Sequence, residues 1–213
     1  MFERIDLNTW PRRPVFELYN NYRQPDFNLT GRIEVTGLYK SCKSAGIPFS
    51  TALLYLSVQI ANSIPEFRLR VTGDEVRLYD FLHCGCTELD ENENLRFTYY
   101  SFEKGESLPD FAARYPRGTA ASRTVTPGTS TDRDLELDLL FHTIIPWFSF
   151  TGLRHPRNET DGIGSIPRIA FGKYEADSQG RLMMPVSVEA HHGLMDGLHV
   201  CRYFNGLEDR CRG

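Results

Sequence analysis

Leu182-Met183-Met184-Pro185-Val186-Ser187-Val188-Glu189-Ala190-His191-His192-Gly193-Leu194-Met195-Asp196-Gly197 is the stretch that decides how this chain folds. Side chains alternate between faces along a strand. Period two therefore puts Leu182, Met184, Val186, Val188, Ala190 and His192 on one face, and Ser187, Glu189 and His191 on the other. His192 is in phase with the apolar set. An imidazole among apolar groups loses solvation of its cation, so its pKa is expected to fall and the neutral, proton-accepting ring to dominate at pH 7, the state a general base needs. A core histidine satisfied by a backbone carbonyl fits the same pattern. His191, on the polar face, is expected to be structural. Gly193 and Gly197 bracket a sharp turn, and Asp196 is either an N-cap for a following helix or a buried carboxylate that fixes the turn through a distant cation.

Working outward, Leu198, Cys201, Phe204 and Leu207 repeat at helical spacing and predict a packed terminal helix. On the other side, Ile166 to Ala176 is β-prone and leads through Ser178-Gln179-Gly180 into the strand that starts at Leu182, and Leu135 to Phe150 is also apolar and β-prone. Near the N-terminus Ile33 and Val35 alternate as a strand does, and Thr36 is placed to cap a short helix that Gly46 stops. Ser50 to Ile64 is apolar on nearly every side, as a helix buried on most of its circumference would be, and Pro65 ends it. Leu69 and Val71, a Gly73-Asp74 turn, then Val76 and Leu78 predict a β-hairpin. A short helix is expected near Asp110 to Arg114, followed by a long loop rich in Thr, Ser and Gly. Strands and helices mixed without a βα rhythm point to one domain over residues 1 to 213, a two-layer α/β sandwich with a mixed, largely antiparallel sheet.

Composition narrows the function. With Lys plus Arg at 24 against Asp plus Glu at 28, the net charge is −4, which leaves no basic surplus to hold a nucleic-acid backbone. No window approaches the ~20 apolar residues of a membrane span and the N-terminus carries early charges, so a cytoplasmic protein is expected. The five cysteines are an odd count, and Cys84-x-Cys86 lacks the spacing of a redox or zinc motif, which favours free thiols. His191, His192, Asp196 and His199 cannot share one helical face across two glycines, so no metal is expected. A G-x-S-x-G elbow, a P-loop and a G-x-G-x-x-G fingerprint are all absent.

His191-His192-Gly193-Leu194-Met195-Asp196-Gly197-Leu198-His199-Val200 resembles the H-H-x-x-x-D-G-x-H-V signature of the chloramphenicol acetyltransferase family. Trp10-Pro11-Arg12-Arg13 with Phe16-Glu17, Pro65-Glu66-Phe67-Arg68, Pro146-Trp147 with Ser149-Phe150 (the family's middle strand), and Gly172-Lys173-Tyr174 match other family segments in order. The resemblance implies a CoA-dependent acyltransferase fold shared with the cores of the 2-oxoacid dehydrogenase complexes. It implies a homotrimer with active sites at subunit interfaces, and acetyl transfer from acetyl-CoA, as co-substrate, to a hydroxyl. It makes His192 the general base, pairs Asp196 with Arg12, both largely out of water, and puts Thr143 where a serine usually stabilises the oxyanion. It assigns Lys173 and Tyr174 to the coenzyme's nucleotide end, the lysine for phosphate and the tyrosine for stacking.

Departures cluster on the acceptor side. Tyr19 and Phe97 are retained, but Arg23 and His155 stand where the family has leucines, and Ala170 replaces a threonine. The expected enzyme is an O-acetyltransferase, of antibiotic-resistance type if chloramphenicol is the acceptor, with a pocket altered toward a polar or anionic small alcohol. A catalytically weak CoA-binding or interaction protein on the same fold is the alternative. A lipoyl-dependent core is disfavoured because the chain has no room for a lipoyl domain.

Overall fold

A computed structural model describes residues 1–115, 123–125, 137–156 and 162–212. In chain order the first half comprises β1 (Phe2–Arg4), α1 (Arg13–Asn20), β2 (Asp26–Glu34), α2 (Thr36–Ala45), α3 (Phe49–Ser63), β3 (Leu69–Thr72), β4 (Glu75–Tyr79), β5 (His83–Leu89) and β6 (Leu95–Tyr100). The second half comprises α4 (Leu108–Arg114), β7 (Arg123–Val125), β8 (Leu139–Ile145), β9 (Arg168–Gly172), β10 (Glu175–Ala176), β11 (Leu182–His191) and α5 (Gly197–Arg212).

Among the described residues the main sheet has eight strands: β11 pairs along one side with β2 and along the other with β9 and, at its start, β10, and the order continues β9-β8-β5-β6-β7. Among the described residues only β5–β8 and β8–β9 are parallel pairs, so the sheet is mixed and largely antiparallel. β1, β4 and β3 form a second, three-stranded sheet. The core lies between one face of the main sheet and the helices. Cys84, Cys86, Leu140, Ile169, Phe171, Val186, Val188 and Ala190 meet Leu38 and Cys42 of α2, Ala52 to Val58 of α3, and Val200, Tyr203 and Leu207 of α5. Because α3 is enclosed by the sheet and neighbouring helices, its apolar residues face every direction, as its sequence predicts. The 69–79 hairpin, with Gly73 at φ 56°, and the stop at Gly46, at φ 68°, also form where expected.

Several details differ from expectation. Thr36 opens α2 without capping it, and its hydroxyl instead accepts the Leu182 N–H at 2.9 Å, joining α2 to the start of β11. The buried stripe of α5 is Val200, Tyr203, Leu207 and Cys211, while Leu198 and Cys201 are exposed. Two apolar stripes are compatible with that sequence, and packing on β2 and α3 selects the one carrying the large Tyr203 ring. β8 ends at Ile145, so Pro146 to Phe150 lies beyond the strand, with Trp147 exposed. β7 pairs with β6 inside the segment expected to be a continuous loop; most of that loop lies outside the described residues.

Two buried features place the site. Arg70, fully buried, donates to the carbonyls of Phe67, Leu69, Leu137 and Leu139, which ties the 69–79 hairpin to the entry of β8. Burial lowers its pKa to about 9. A small second core of Phe16, Leu69, Val76 and Leu194 packs α1 between that hairpin and the turn after β11, bringing Arg12 to residues 192–196.

Candidate active site

β11 ends at His191, and the chain turns at once. The His191 carbonyl accepts from the N–H groups of Leu194 and Met195, and its Nδ1 accepts the Gly193 N–H at 3.1 Å. His191 is thus a buried turn former, as expected of a structural residue, although the face it lies on is covered. His192 is held differently. Its N–H donates to the Pro25 carbonyl at 2.8 Å, and its ring stacks on Tyr19 (4.3 Å between centroids, 8° between planes) and touches Phe27 at 4.7 Å. The sequence placed His192 deep among apolar groups. The side chain is instead 31% exposed, because the strand has ended and the ring stands at the sheet's rim between two aromatic rings.

The two ring nitrogens of His192 are inequivalent. Nδ1 is buried, lacks a hydrogen bond, and lies 3.4 Å from Asp196 Oδ1, while Nε2 is on the accessible side. A carboxylate facing Nδ1 favours the tautomer that carries its proton there, leaving the Nε2 lone pair outward.

Arg12 locks this turn. Its Nη1 and Nη2 donate to Asp196 Oδ2 and Oδ1 at 2.6 and 2.7 Å, while Nη2 and Nε also donate to the carbonyls of His192 and Gly193 at 2.7 and 2.8 Å. The planar fork of donors suits this arrangement as a lysine would not. The hydrogen bonds from Arg12 hold the Asp196 carboxyl below the usual carboxylate range. The pair is less secluded than expected: Arg12 is 16% exposed but the Asp196 side chain is 43% exposed. Asp196 also stands just before α5, where its backbone carbonyl accepts from the N–H groups of His199 and Val200, but its carboxylate pairs with Arg12 and supplies no side-chain cap to the helix. His199 completes the corner. Its Nδ1 accepts the Asp196 N–H at 2.9 Å, which leaves Nε2 to donate toward Glu66 Oε1 at 3.3 Å.

Thr143 belongs to a second group. Strand register aligns Phe97, Thr87, Thr143, Ala170, Ser187 and Thr30 in one row across the sheet, on the face opposite the helices. Residues 153 to 155 lie over this row. The Leu153 carbonyl accepts from Asn28 and Ser187, and the His155 ring bridges Glu189 Oε1 (2.6 Å from Nδ1) and Thr143 Oγ1 (3.2 Å from Nε2). The sequence did not signal this bridge. Its only trace is a glutamate at position 189 inside a strand that is buried on both faces. His192's own partners are Pro25, Arg12, Tyr19, Phe27 and Asp196, so within one chain the base candidate and Thr143 stand apart.

The remaining candidates are more peripheral. Lys173 is exposed and its N–H donates to the Phe148 carbonyl; Tyr174 is half-buried, its ring against Tyr39 and Phe49 at 5.5 and 5.6 Å. Arg23 is exposed in the segment between α1 and β2. Among the described residues, no group of three or more His, Cys, Asp or Glu side chains is placed to hold a metal ion, and no helix is long and apolar enough to cross a membrane.

A family model described as chloramphenicol acetyltransferase matches residues 1–208. The chain belongs to the chloramphenicol acetyltransferase family. It is 30% identical over 214 residues to "Chloramphenicol acetyltransferase 2" of Escherichia coli, covering 99% of this chain and 97% of that protein. A solved chloramphenicol acetyltransferase superposes with a TM-score of 0.86 at 26% identity, covering 98% of this chain and 99% of that one. The fold, though not the sequence, extends to a probable dihydrolipoamide acetyltransferase of Listeria monocytogenes, with a TM-score of 0.67 at 12% identity over 99% of this chain and 94% of that one. The protein is thus an acyltransferase with the CoA-dependent acyltransferase fold.

Proposed function

We propose that this chain is an acetyl-CoA-dependent O-acetyltransferase in which His192 is the general base and the acceptor is a small hydroxylated molecule. The observation that carries the proposal is the inequivalence of the His192 nitrogens: Nδ1 turned to the Asp196 carboxylate, Nε2 outward, on a turn held by the Arg12 fork. An acceptor O–H placed at Nε2 loses its proton as its oxygen attacks the thioester carbonyl, and that proton then passes to the departing CoA sulfur. The hydroxyl of Thr143 donates to the oxyanion. Since His192 and Thr143 stand apart in one chain, the complete site is formed by His192 of one subunit and Thr143 of the next, in a trimer like that of the family. Lys173 is chemically fit to meet a coenzyme phosphate, being an exposed cation, and Tyr174 is held in place by Tyr39 and Phe49 at the nucleotide end.

The acceptor pocket of Tyr19, Phe97, Arg23 and His155 combines two aromatic rings with a guanidinium and an imidazole. That combination favours a polar or anionic alcohol over a neutral aromatic antibiotic. The test is thiol release from acetyl-CoA over a panel of small alcohols that includes chloramphenicol. Turnover of at least one acceptor is expected, reduced at least about 10²-fold in His192→Ala with CoA binding retained. Chloramphenicol is expected to be a poor substrate, improved by Arg23→Leu with His155→Leu. A native KM for chloramphenicol in the low micromolar range, near the lower bound for enzymes, would refute the altered pocket. CoA binding without turnover of any acceptor would favour the binding-protein alternative.

A further inference from the structure

Outside the His192 turn, the structure holds a hydroxyl, an imidazole and a carboxylate in series. Glu189 sits inside β11 with its side chain 2% exposed, and its Oε1 accepts both from His155 Nδ1 at 2.6 Å and from the His155 N–H at 2.7 Å. Two bonds to one carboxylate oxygen fix the position and tautomer of the ring: the Nδ1 proton faces Glu189, and the lone pair of Nε2 faces Thr143 Oγ1 at 3.2 Å. From the other side, the Thr87 hydroxyl donates to Thr143 Oγ1 at 3.2 Å. Thr143 therefore already accepts a hydrogen bond, and its own proton is left for His155. The donors Thr87, Thr143 and His155 all point the same way, toward Glu189, which accepts. A nucleophile within reach of a base that a third group orients is the arrangement that activates a weak hydroxyl.

We infer that Thr143, His155 and Glu189 form a second catalytic unit that cleaves acetyl-CoA without an external acceptor. The inference rests on the proposed function for placing the thioester at Thr143. Thr143 Oγ1 bonds to the thioester carbonyl carbon while its proton passes to His155 Nε2. The carbon–sulfur bond then breaks, and the departing CoA sulfur takes that proton, leaving an acetyl ester on Thr143. Water attacks the ester by the same route, one of its protons passing through His155 to the threonine oxygen, and acetic acid leaves, losing its remaining acidic proton to solvent. Glu189 acts as a positioning residue through His155. With an acceptor alcohol present, the acetyl group goes to that alcohol at His192 and the Thr143 proton turns to the oxyanion; with none, Thr143 takes it. Ala170, beside Thr143 in register and fully buried, offers no second hydroxyl to compete for the carbonyl.

The experiment gives full-length protein acetyl-CoA alone, follows thiol release, and examines the acid-quenched protein by intact mass and peptide mapping. The expected result is slow acceptor-free thiol release and a mass gain of one acetyl group on the peptide carrying Thr143. Both should be absent in Thr143→Val, which keeps the side-chain shape, retained in Thr143→Ser, and reduced roughly 10²-fold or more in His155→Asn. Glu189→Gln should lower the rate of adduct formation without changing the affinity for CoA, which a merely structural role would not do selectively. His192→Ala should lose transfer to alcohols yet still acetylate Thr143, which separates this unit from the proposed transferase site. Transfer to alcohols without any acceptor-free thiol release would overturn the inference and leave the proposed function standing. Thiol release undiminished in Thr143→Val or His155→Asn would also overturn it, and failure to bind acetyl-CoA at all would overturn both.

Discussion

Replacing Arg12 by Ala tests whether a single guanidinium holds the corner on which His192 stands. The loss can be worked from its partners. Two hydrogen bonds go to the carbonyls of His192 and Gly193, and each partly buried carbonyl left unpaired costs about 1 kcal/mol. Two more go to the Asp196 carboxylate, which at 43% exposure regains water, so that share is discounted to about 1 kcal/mol. A stability loss of about 2 to 4 kcal/mol follows, equivalent to a fall in Tm of roughly 5 to 15 °C for a chain of this size. Because the peptide groups that orient the His192 ring lose their tether, kcat should fall by about tenfold or more while KM for acetyl-CoA changes little. Asp196→Asn should be milder, and the double variant should cost less than the sum of the single changes, with a coupling energy of up to about 1 kcal/mol. Urea unfolding at fixed protein concentration and thiol-release kinetics on all four proteins supply the cycle. Strict additivity, or a destabilised Arg12→Ala whose kcat is unchanged, would refute the reasoning that the ion pair sets the geometry of the base.

The neighbouring histidines should separate by readout: His192→Ala loses rate at near-native stability, whereas His191→Ala loses stability because the Gly193 N–H it satisfies is buried, and the reverse pattern in kinetics and urea melts would show the roles exchanged. His142, bonded in the core to Ser57, which is in turn bonded to Tyr203, has its pKa lowered by burial to about 4, below its unfolded value of about 6.5. The unfolded chain therefore binds the extra proton first, the contribution of the neutral ring is fully present above about pH 6.5, and about 2 kcal/mol of it should be lost between about pH 6.5 and 5, a slope that His142→Asn should flatten in urea melts taken across that range. Gly172→Ala should destabilise by about 1 to 3 kcal/mol, since a Cβ there would lie 2.6 Å from the Pro185 ring and 2.9 Å from Phe150; a wild-type melting temperature would show that β9 and β11 can move apart.

From the sequence alone, alternation in Leu182 to His191, the all-round apolar run of α3 and the Gly73 turn sufficed to place strand, helix and hairpin, because each depends on periodicity or a backbone preference carried by neighbouring residues. The family resemblance carried by Trp10 to Arg13 and by His191 to Val200 likewise implied the pairing of Arg12 with Asp196 beside His192 before any distance was known. Tertiary structure decided what local pattern leaves degenerate. It chose Val200, Tyr203, Leu207 and Cys211 as the buried stripe of α5 from two apolar phases, and it ended β11 one residue early, so that His192 stands at a rim between aromatic rings. It also closed the bridge from Glu189 through His155 to Thr143, three residues dispersed along the chain that meet only because β8 and β11 flank the same strand and the segment after β8 folds back over their outer face. Periodicity reports which side of an element a residue occupies. Which groups from distant elements share that side, and how much water reaches them, is set by strand order and by what covers the sheet.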